Sequence, residues 1–305
     1  MINERSHTMD EDRNVIDFSN KAINSLLPQR PERSNKATFG RVLCAAGSYC
    51  MSGAAYLCAK AAYRSGAGIV SILTPEENRV ILQTSLPEAL VSVYSSADPD
   101  ESSVIASASV ANVIAVGPGI GKSSGARKIL SFLLRSTNKP MVIDADALNI
   151  ISEEPKLWDL VPIGSVITPH PGEMARLCGC SIGEILDDVP EICKGFAKAH
   201  RVICVLKDHS TAVADGTSPD CPLYLNDTGN SGMATGGSGD VLTGIIAALL
   251  AQGLSPFSAA SLGVRIHGLA GDRAASRLGE YSMMASDIIE ALPEVFGSLS
   301  STVKH

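Results

Sequence analysis

Long apolar runs are missing from this 305-residue sequence, although 45% of its residues are hydrophobic. A membrane-spanning helix needs roughly 18 apolar residues in a row. The greasiest stretch, residues 241–250, is broken by Thr243 and Gly244. Excess positive charge is missing too. The net charge is −7 and the isoelectric point is near 5.4, which argues against a nucleic-acid partner, because such partners call for a basic stripe. Zinc-type cysteine spacing is absent. The eight cysteines include no Cys-x-x-Cys, and Cys178-Gly179-Cys180 has no second pair at metal spacing. Most of them sit in apolar runs and are expected to be buried, reduced thiols of a cytoplasmic protein. No apolar signal core interrupts the polar, charged N-terminus. Repeats, low-complexity tracts and long linkers are likewise absent. The expected organisation is a mobile tail over residues 1–16, one domain over 17–299 and a short tail over 300–305.

Short Val- and Ile-rich runs are present, and they alternate with helical patterns. Strands are expected at Arg41–Ala46, Gly68–Leu73, Asn112–Val116, Met141–Asp144, Ser165–Thr168, Val202–Leu206 and Thr211–Ala214. Continuous apolar runs of this kind suit strands covered on both faces. Helices are expected at Gly53–Ser65, Ser124–Arg135, Glu173–Cys178 and Ile182–Ala199, then near Asp240–Ala251, Ser255–Leu278 and Ala285–Phe296. The order implies a three-layer α/β sheet with a helical C-terminal end. Ligands of such sheets gather where strands end and loops begin.

The most informative stretch is Thr235-Gly236-Gly237-Ser238-Gly239-Asp240, which runs into the apolar residues 241–250. Gly232, Gly236, Gly237 and Gly239 permit a left-handed backbone, and Ser238 or Asp240 is placed to cap the helix. A helix start with free N–H groups attracts anions. A carboxylate there repels such a ligand unless it has a task, such as taking a proton from an attacking hydroxyl. The stretch therefore suggests phosphoryl chemistry.

Other candidates flank strand ends. Gly117-Pro118-Gly119-Ile120-Gly121-Lys122-Ser123 is not a P-loop, because Val116 stands where the first glycine belongs. It is read as a ligand-lining turn. Asp144 and Asp146 could hold a metal ion or a sugar hydroxyl. The plainer reading, which is favoured, has Asp146 as a cap and Asp144 hydrogen-bonded at the sheet end. Pro169 and Pro171 restrain the backbone on either side of His170, so His170 is read as a ligand contact. Glu173 follows as a helix-dipole partner or a water-mediated Mg²⁺ ligand. Lys207-Asp208-His209-Ser210-Thr211 is either a plain hairpin turn or a grip on a nucleotide's phosphates. His7, His200, His267 and His305 have no recognisable partners and are read as surface or capping residues.

Gly236-Gly237-Ser238-Gly239-Asp240 resembles the anion-hole motif of the ribokinase-like superfamily. With Thr168-Pro-His170-Pro-Gly-Glu173, Val116-Gly-Pro-Gly119 and Val142-Ile-Asp144-Ala-Asp146, the chain resembles the NAD(P)H-hydrate dehydratases over residues 36–292. The Pro-His-Pro form is similar to their bacterial ADP-dependent branch, and the sequence leaves no room for the epimerase domain often fused to them. The resemblance implies a ribokinase-like α/β/α sandwich with a mostly parallel sheet. It implies ADP-dependent dehydration of the S-form of NADH or NADPH hydrate through transient phosphorylation of the 6-hydroxyl, with Mg²⁺, in a homo-oligomer such as a tetramer. Asp240 would be the base, and the backbone from Gly237 through Ser238 and Gly239 to Asp240 the anion hole. Residues 207–211 and Gly239 would bind the nucleotide, while Ala54, Gly119, His170 and Asp240 would line the hydrate. Two departures stand out. Ser238 replaces the family's usual Thr, and Ser34-Asn35-Lys36-Ala37 replaces a His-Lys-Gly pattern. A vitamin-precursor kinase of the same fold, or a nucleotide sensor, remains an alternative.

Overall fold

The computed structural model describes residue 22 and residues 26–301. The tail over residues 1–16, His7 and His305 lie outside the described residues. The last helix runs to Ser301, into the segment expected as a C-terminal tail. Nine strands form one sheet in the order β3-β2-β1-β4-β5-β6-β7-β8-β9. They are β1 (Arg41–Ala45), β2 (Ile69–Pro75), β3 (Leu90–Tyr94), β4 (Val113–Val116), β5 (Met141–Ile143), β6 (Val166–Ile167), β7 (Ile203–Leu206), β8 (Ala212–Asp215) and β9 (Leu223–Leu225). The sheet is parallel through β7, and β8 and β9 are added antiparallel. Residues 207–211 thus do form the hairpin turn that their plain reading predicts.

The helices are α1 (Ser52–Arg64), α2 (Arg79–Ser85), α3 (Glu101–Ser109), α4 (Ser124–Ser136), α5 (Ala145–Glu153), α6 (Pro171–Cys178), α7 (Ile182–Asp187), α8 (Val189–His200), α9 (Ser238–Ala251), α10 (Pro256–Leu278) and α11 (Ala285–Ser301). Strand pleating divides the core between the two faces. Ile203 and Val205 point into the layer of α1, α9, α10 and α11, whereas Cys204 and Leu206 point into that of α3, α4, α5 and α8. This double burial explains the unbroken apolar runs. None of the described helices is long and apolar enough to cross a membrane.

Three expectations need correction. The Ile182–Ala199 helix is two helices, because Asp188 is extended (φ −152°) and caps α8, with Pro190 in the following turn. The edge strand β3, the short β9 and helices α2, α3 and α5 were not expected. The edge strand lacks a fully buried run, with Leu90 exposed, and the Ser-rich α3 depends on its Asp100 cap, which accepts from Ser103 N at 2.9 Å. The cysteines are free, but Cys50 and Cys178 are exposed rather than buried.

Helix α9 crosses behind the sheet and packs on α1. The contact is close because Gly244 has no side chain. A Cβ there would lie 2.1 Å from the Cys58 carbonyl oxygen and 2.9 Å from Ala61 Cβ. Gly244→Ala should therefore destabilise the protein by about 1–3 kcal/mol despite the better helix propensity of alanine. Gly195, exposed in α8, would meet nothing within 4 Å, so Gly195→Ala should stabilise by about 0.5–1 kcal/mol. Urea unfolding of the two variants checks the contrast, and equal effects would contradict this packing.

Candidate active site

Asp144 and Lys207, which directly follow β5 and β7, meet the first turn of α9 at Gly239. Gly237 is the N-cap, with φ +92°, and no side chain caps the helix. Neither Ser238 nor Asp240 caps, contrary to expectation. Of the four glycines read as left-handed, Gly237 alone takes positive φ. Ser238 N donates to Thr235 O at 3.3 Å and Val241 N to Gly237 O at 3.1 Å. Among the described residues, the amides of Gly239 and Asp240 have no hydrogen-bond acceptor. Their orientation and the helix dipole leave a positive spot at the bare Gly239. Ser238 Oγ lies 3.3 Å from His267 Nε2. His267 is thus a buried partner of the turn rather than a surface residue. Burial holds its ring well below the usual imidazole range, to about 4, and so neutral.

Beside the turn lies a buried ion pair. Asp144 is 1% exposed. Its Oδ1 accepts from Lys207 Nζ at 2.9 Å and its Oδ2 from Thr243 Oγ1 at 2.8 Å. Burial opposes the Lys207 charge, but Asp144 and Glu173 outweigh it and raise its pKa. The ammonium rests against the turn. A Cβ on Gly239 would sit 3.2 Å from Lys207 Nζ. Asp146 does not cap α5. It accepts from Gly121 N at 2.8 Å and so ties the glycine turn to the sheet end.

Asp240 sits in this field, and its carboxyl is pushed up to about 7 by burial first and by Asp144 next, with Lys207 pulling the other way. A carboxylate near 7 is suited to exchanging a proton at neutral pH.

His170 is the N-cap of α6 and forms a capping box with Glu173. Its Nδ1 accepts from Gly172 N at 3.0 Å, while Glu173 Oε2 accepts from His170 N at 2.9 Å. Burial and the nearby Lys207 hold the imidazole below its usual value, and because Nδ1 accepts from Gly172 N, a ring proton is left to Nε2. Glu173 is buried and its pKa is raised, mainly by desolvation. Both of its oxygens already face His170, one of them 3.4 Å from Nε2. Among the described residues no three His, Cys, Asp or Glu side chains gather to hold a metal ion.

Ala54, at the start of α1, faces Gly119. A Cβ on Gly119, whose φ is +61°, would lie 2.8 Å from Ala54 Cβ. Gly117 must be bare because its Cβ would meet the Asp144 carbonyl oxygen at 1.8 Å. The glycine turn therefore leads directly to the ion pair and on to α9. Asp208, His209 and Ser210 are exposed on the hairpin. Ser210 Oγ donates to Asn226 O at 3.1 Å and Thr211 Oγ1 to Asp208 O at 3.1 Å. Lys207 alone of the five reaches the turn. Sequence reading missed Thr243 and the Asp144–Lys207 pair, because partners 63 and 99 residues apart leave no local signal. It also missed His200, which packs its ring on Trp158 and Phe196. Lys122 pairs with Glu153 at 2.7 Å, away from any phosphate role. Asn35, in place of the family's His-Lys-Gly pattern, caps a short helical turn over Lys36–Phe39.

Comparison with known proteins gives the chain's relatives. The ADP-dependent (S)-NAD(P)H-hydrate dehydratase of Neisseria meningitidis is 39% identical over 246 residues, covering 80% of each chain. A bifunctional NAD(P)H-hydrate repair enzyme of Moorella thermoacetica is 40% identical over 292 residues, 92% of this chain but 53% of its own length. The chain spans about half the length of that and similar relatives. The Bacillus subtilis ADP/ATP-dependent NAD(P)H-hydrate dehydratase, co-crystallised with ATP and Mg²⁺, superposes with TM-score 0.80 at 28% identity, covering 94% of this chain and 99% of that one. A ribokinase-like protein of Enterococcus faecalis gives 0.79 at 28% identity, covering 92% of this chain and 95% of that one. The sandwich is thus ribokinase-like. With residues 42–294 also matching the NAD(P)H-hydrate dehydratase model, the chain belongs to that family.

Proposed function

We propose that the protein dehydrates the S-form of NADH or NADPH hydrate with ADP, yielding NAD(P)H, AMP and phosphate. The observation that carries this reading is a buried Asp240, its carboxyl pushed up to about 7, in the first turn of α9 beside an ammonium fixed by Asp144. Hydroxide leaves poorly, and a phosphate ester leaves well. Asp240 takes the proton of the 6-hydroxyl as its oxygen attacks the terminal phosphorus of ADP, and AMP departs. The Gly239 and Asp240 amides and Lys207 face the charge on the transferred phosphoryl group. One such donor is typically worth about 3 kcal/mol. Loss of a proton from the neighbouring ring carbon, as the C–O bond breaks, then restores the double bond and frees phosphate.

The hydrate would lie along Ala54, Gly119 and His170, and the nucleotide along residues 207–211. A Mg²⁺ ion would arrive on the nucleotide's phosphates, with Glu173 reaching it only through water, and would supply charge neutralisation. The free cysteines, five of them buried, support a cytoplasmic, reducing setting, and family resemblance supports a homo-oligomer such as a tetramer.

Three outcomes are expected. Mixing the protein with NADH hydrate, ADP and Mg²⁺ should restore the absorbance band of NADH. No recovery with either ADP or ATP, from folded protein, would refute the reading. Asp240→Asn should keep nucleotide affinity within a fewfold, by calorimetry, while turnover falls by about 10²–10⁴. The rate should also climb with pH through about 7, because the base must be ionised. A flat profile from pH 6 to 8 would count against that assignment. The same shift has a stability sign. Its folded pKa of about 7 lies above the ordinary carboxylate range, so ionising Asp240 destabilises the fold as pH rises from about 4 through 7. Asp240→Asn should accordingly melt higher than the parent at pH 8, with the gap closing towards pH 4.

A further inference from the structure

We propose that Asp144, far from the phosphate turn in sequence, is the positioning residue of phosphoryl transfer and fixes the Lys207 ammonium over the first turn of α9. For the reaction this rests on the dehydratase reading; for the role it rests on geometry. Asp144 directly follows β5 in a sealed position, and Lys207 directly follows β7 with 21% of its side chain exposed. Both carboxylate oxygens are used, Oδ1 by Lys207 and Oδ2 by Thr243. Thr243 lies on α9 itself, three residues beyond Asp240. The helix that presents the phosphate turn therefore also locks the carboxylate that locks the cation. The backbone of Asp144 is fixed as well, since Gly117 packs on its carbonyl.

An unpaired lysine on four methylenes would sweep a wide arc, and ordering it would fall on the reacting complex. Held by Asp144, its Nζ already rests against Gly239. The charge of Asp144 has a second effect. The groups facing Asp240 are Asp144 from β5, Asp146 from α5, Glu173 from α6, Lys207 from β7 and the Cys58 thiol from α1. After burial, Asp144 is the strongest opponent of Asp240 ionisation. Asp144 thus sets both where the cation stands and when the base becomes active.

The test uses Asp144→Asn, Thr243→Val and Thr243→Ser in the full chain. Asp144→Asn keeps the shape and removes the charge. It should lower kcat about tenfold or more at pH 8 and move the acid limb of kcat/KM down by at least about half a pH unit. Thr243→Val should lower kcat severalfold with little change in the KM for ADP, and Thr243→Ser should recover it. A kcat within twofold of the parent in Asp144→Asn, or an unmoved acid limb with only a lower Tm, overturns the proposal. If Asp144→Asn does not fold, an unchanged kcat in Thr243→Val overturns it instead. Two readouts need no substrate, namely the ¹³C titration of the Asp240 carboxyl and the ¹⁵N signal of the Lys207 ammonium. In Asp144→Asn the titration should move to lower pH and the ammonium signal should lose its protection. Both unchanged would refute the role of Asp144, whereas an inactive parent protein with both changed would refute the dehydratase reading alone.

Discussion

A carboxylate with 1% of its surface exposed, as Asp144 has, has given up its hydration and needs partners within the protein. Removing the partner of such a charge typically destabilises a protein by about 3–5 kcal/mol. Lys207 and Thr243 meet this need from two different elements, the end of β7 and the body of α9. Much of the site follows from satisfying this one group. The pair draws an ammonium to the start of α9, draws α9 to the sheet end, and leaves Asp240 in a field that opposes its ionisation. The glycine turn after β4 is shaped by the same residue, since the Asp144 carbonyl leaves no room for a side chain at Gly117.

Absent side chains matter as much as charged ones here. Gly244 lets α9 lie on the backbone of α1. That contact holds the turn beside Leu57, whose Cδ1 would be 2.5 Å from a Cβ on Gly237. Gly239 leaves room for Lys207 and keeps its own amide open. Close contacts join the two halves of the site, from Ala54 Cβ to Gly119, from Gly117 to the Asp144 carbonyl, and from the Asp144 carboxylate to Gly239.

Local chemistry made Gly237, Asp240, His170 and Glu173 legible in the sequence. A glycine-rich turn before an apolar helix and a histidine between two prolines each restrict the backbone within a few residues. The same local logic gave the buried strands their apolar runs and the α9–α10 region its helices. It failed where structure depends on distant partners. The Ser-rich α3 and the edge strand β3 carry weak patterns, and nothing near His267 in sequence announces that it touches Ser238. Asp146 looked like a cap because caps are local, whereas its partner is the amide of Gly121.

By itself, then, the sequence determined that the chain is an α/β protein with a glycine-rich turn and a carboxylate at a helix start. It also determined which family its motifs resemble. The tertiary structure decided how the turn works. It showed that Ser238 N is already bonded to Thr235, that Glu173 is engaged by the backbone of His170, and that Lys207 is the hairpin residue that reaches Gly239. The physical reason is range. Backbone preference and periodicity act over a few residues, while the burial and pairing that set a charge depend on groups brought together only when the sheet closes.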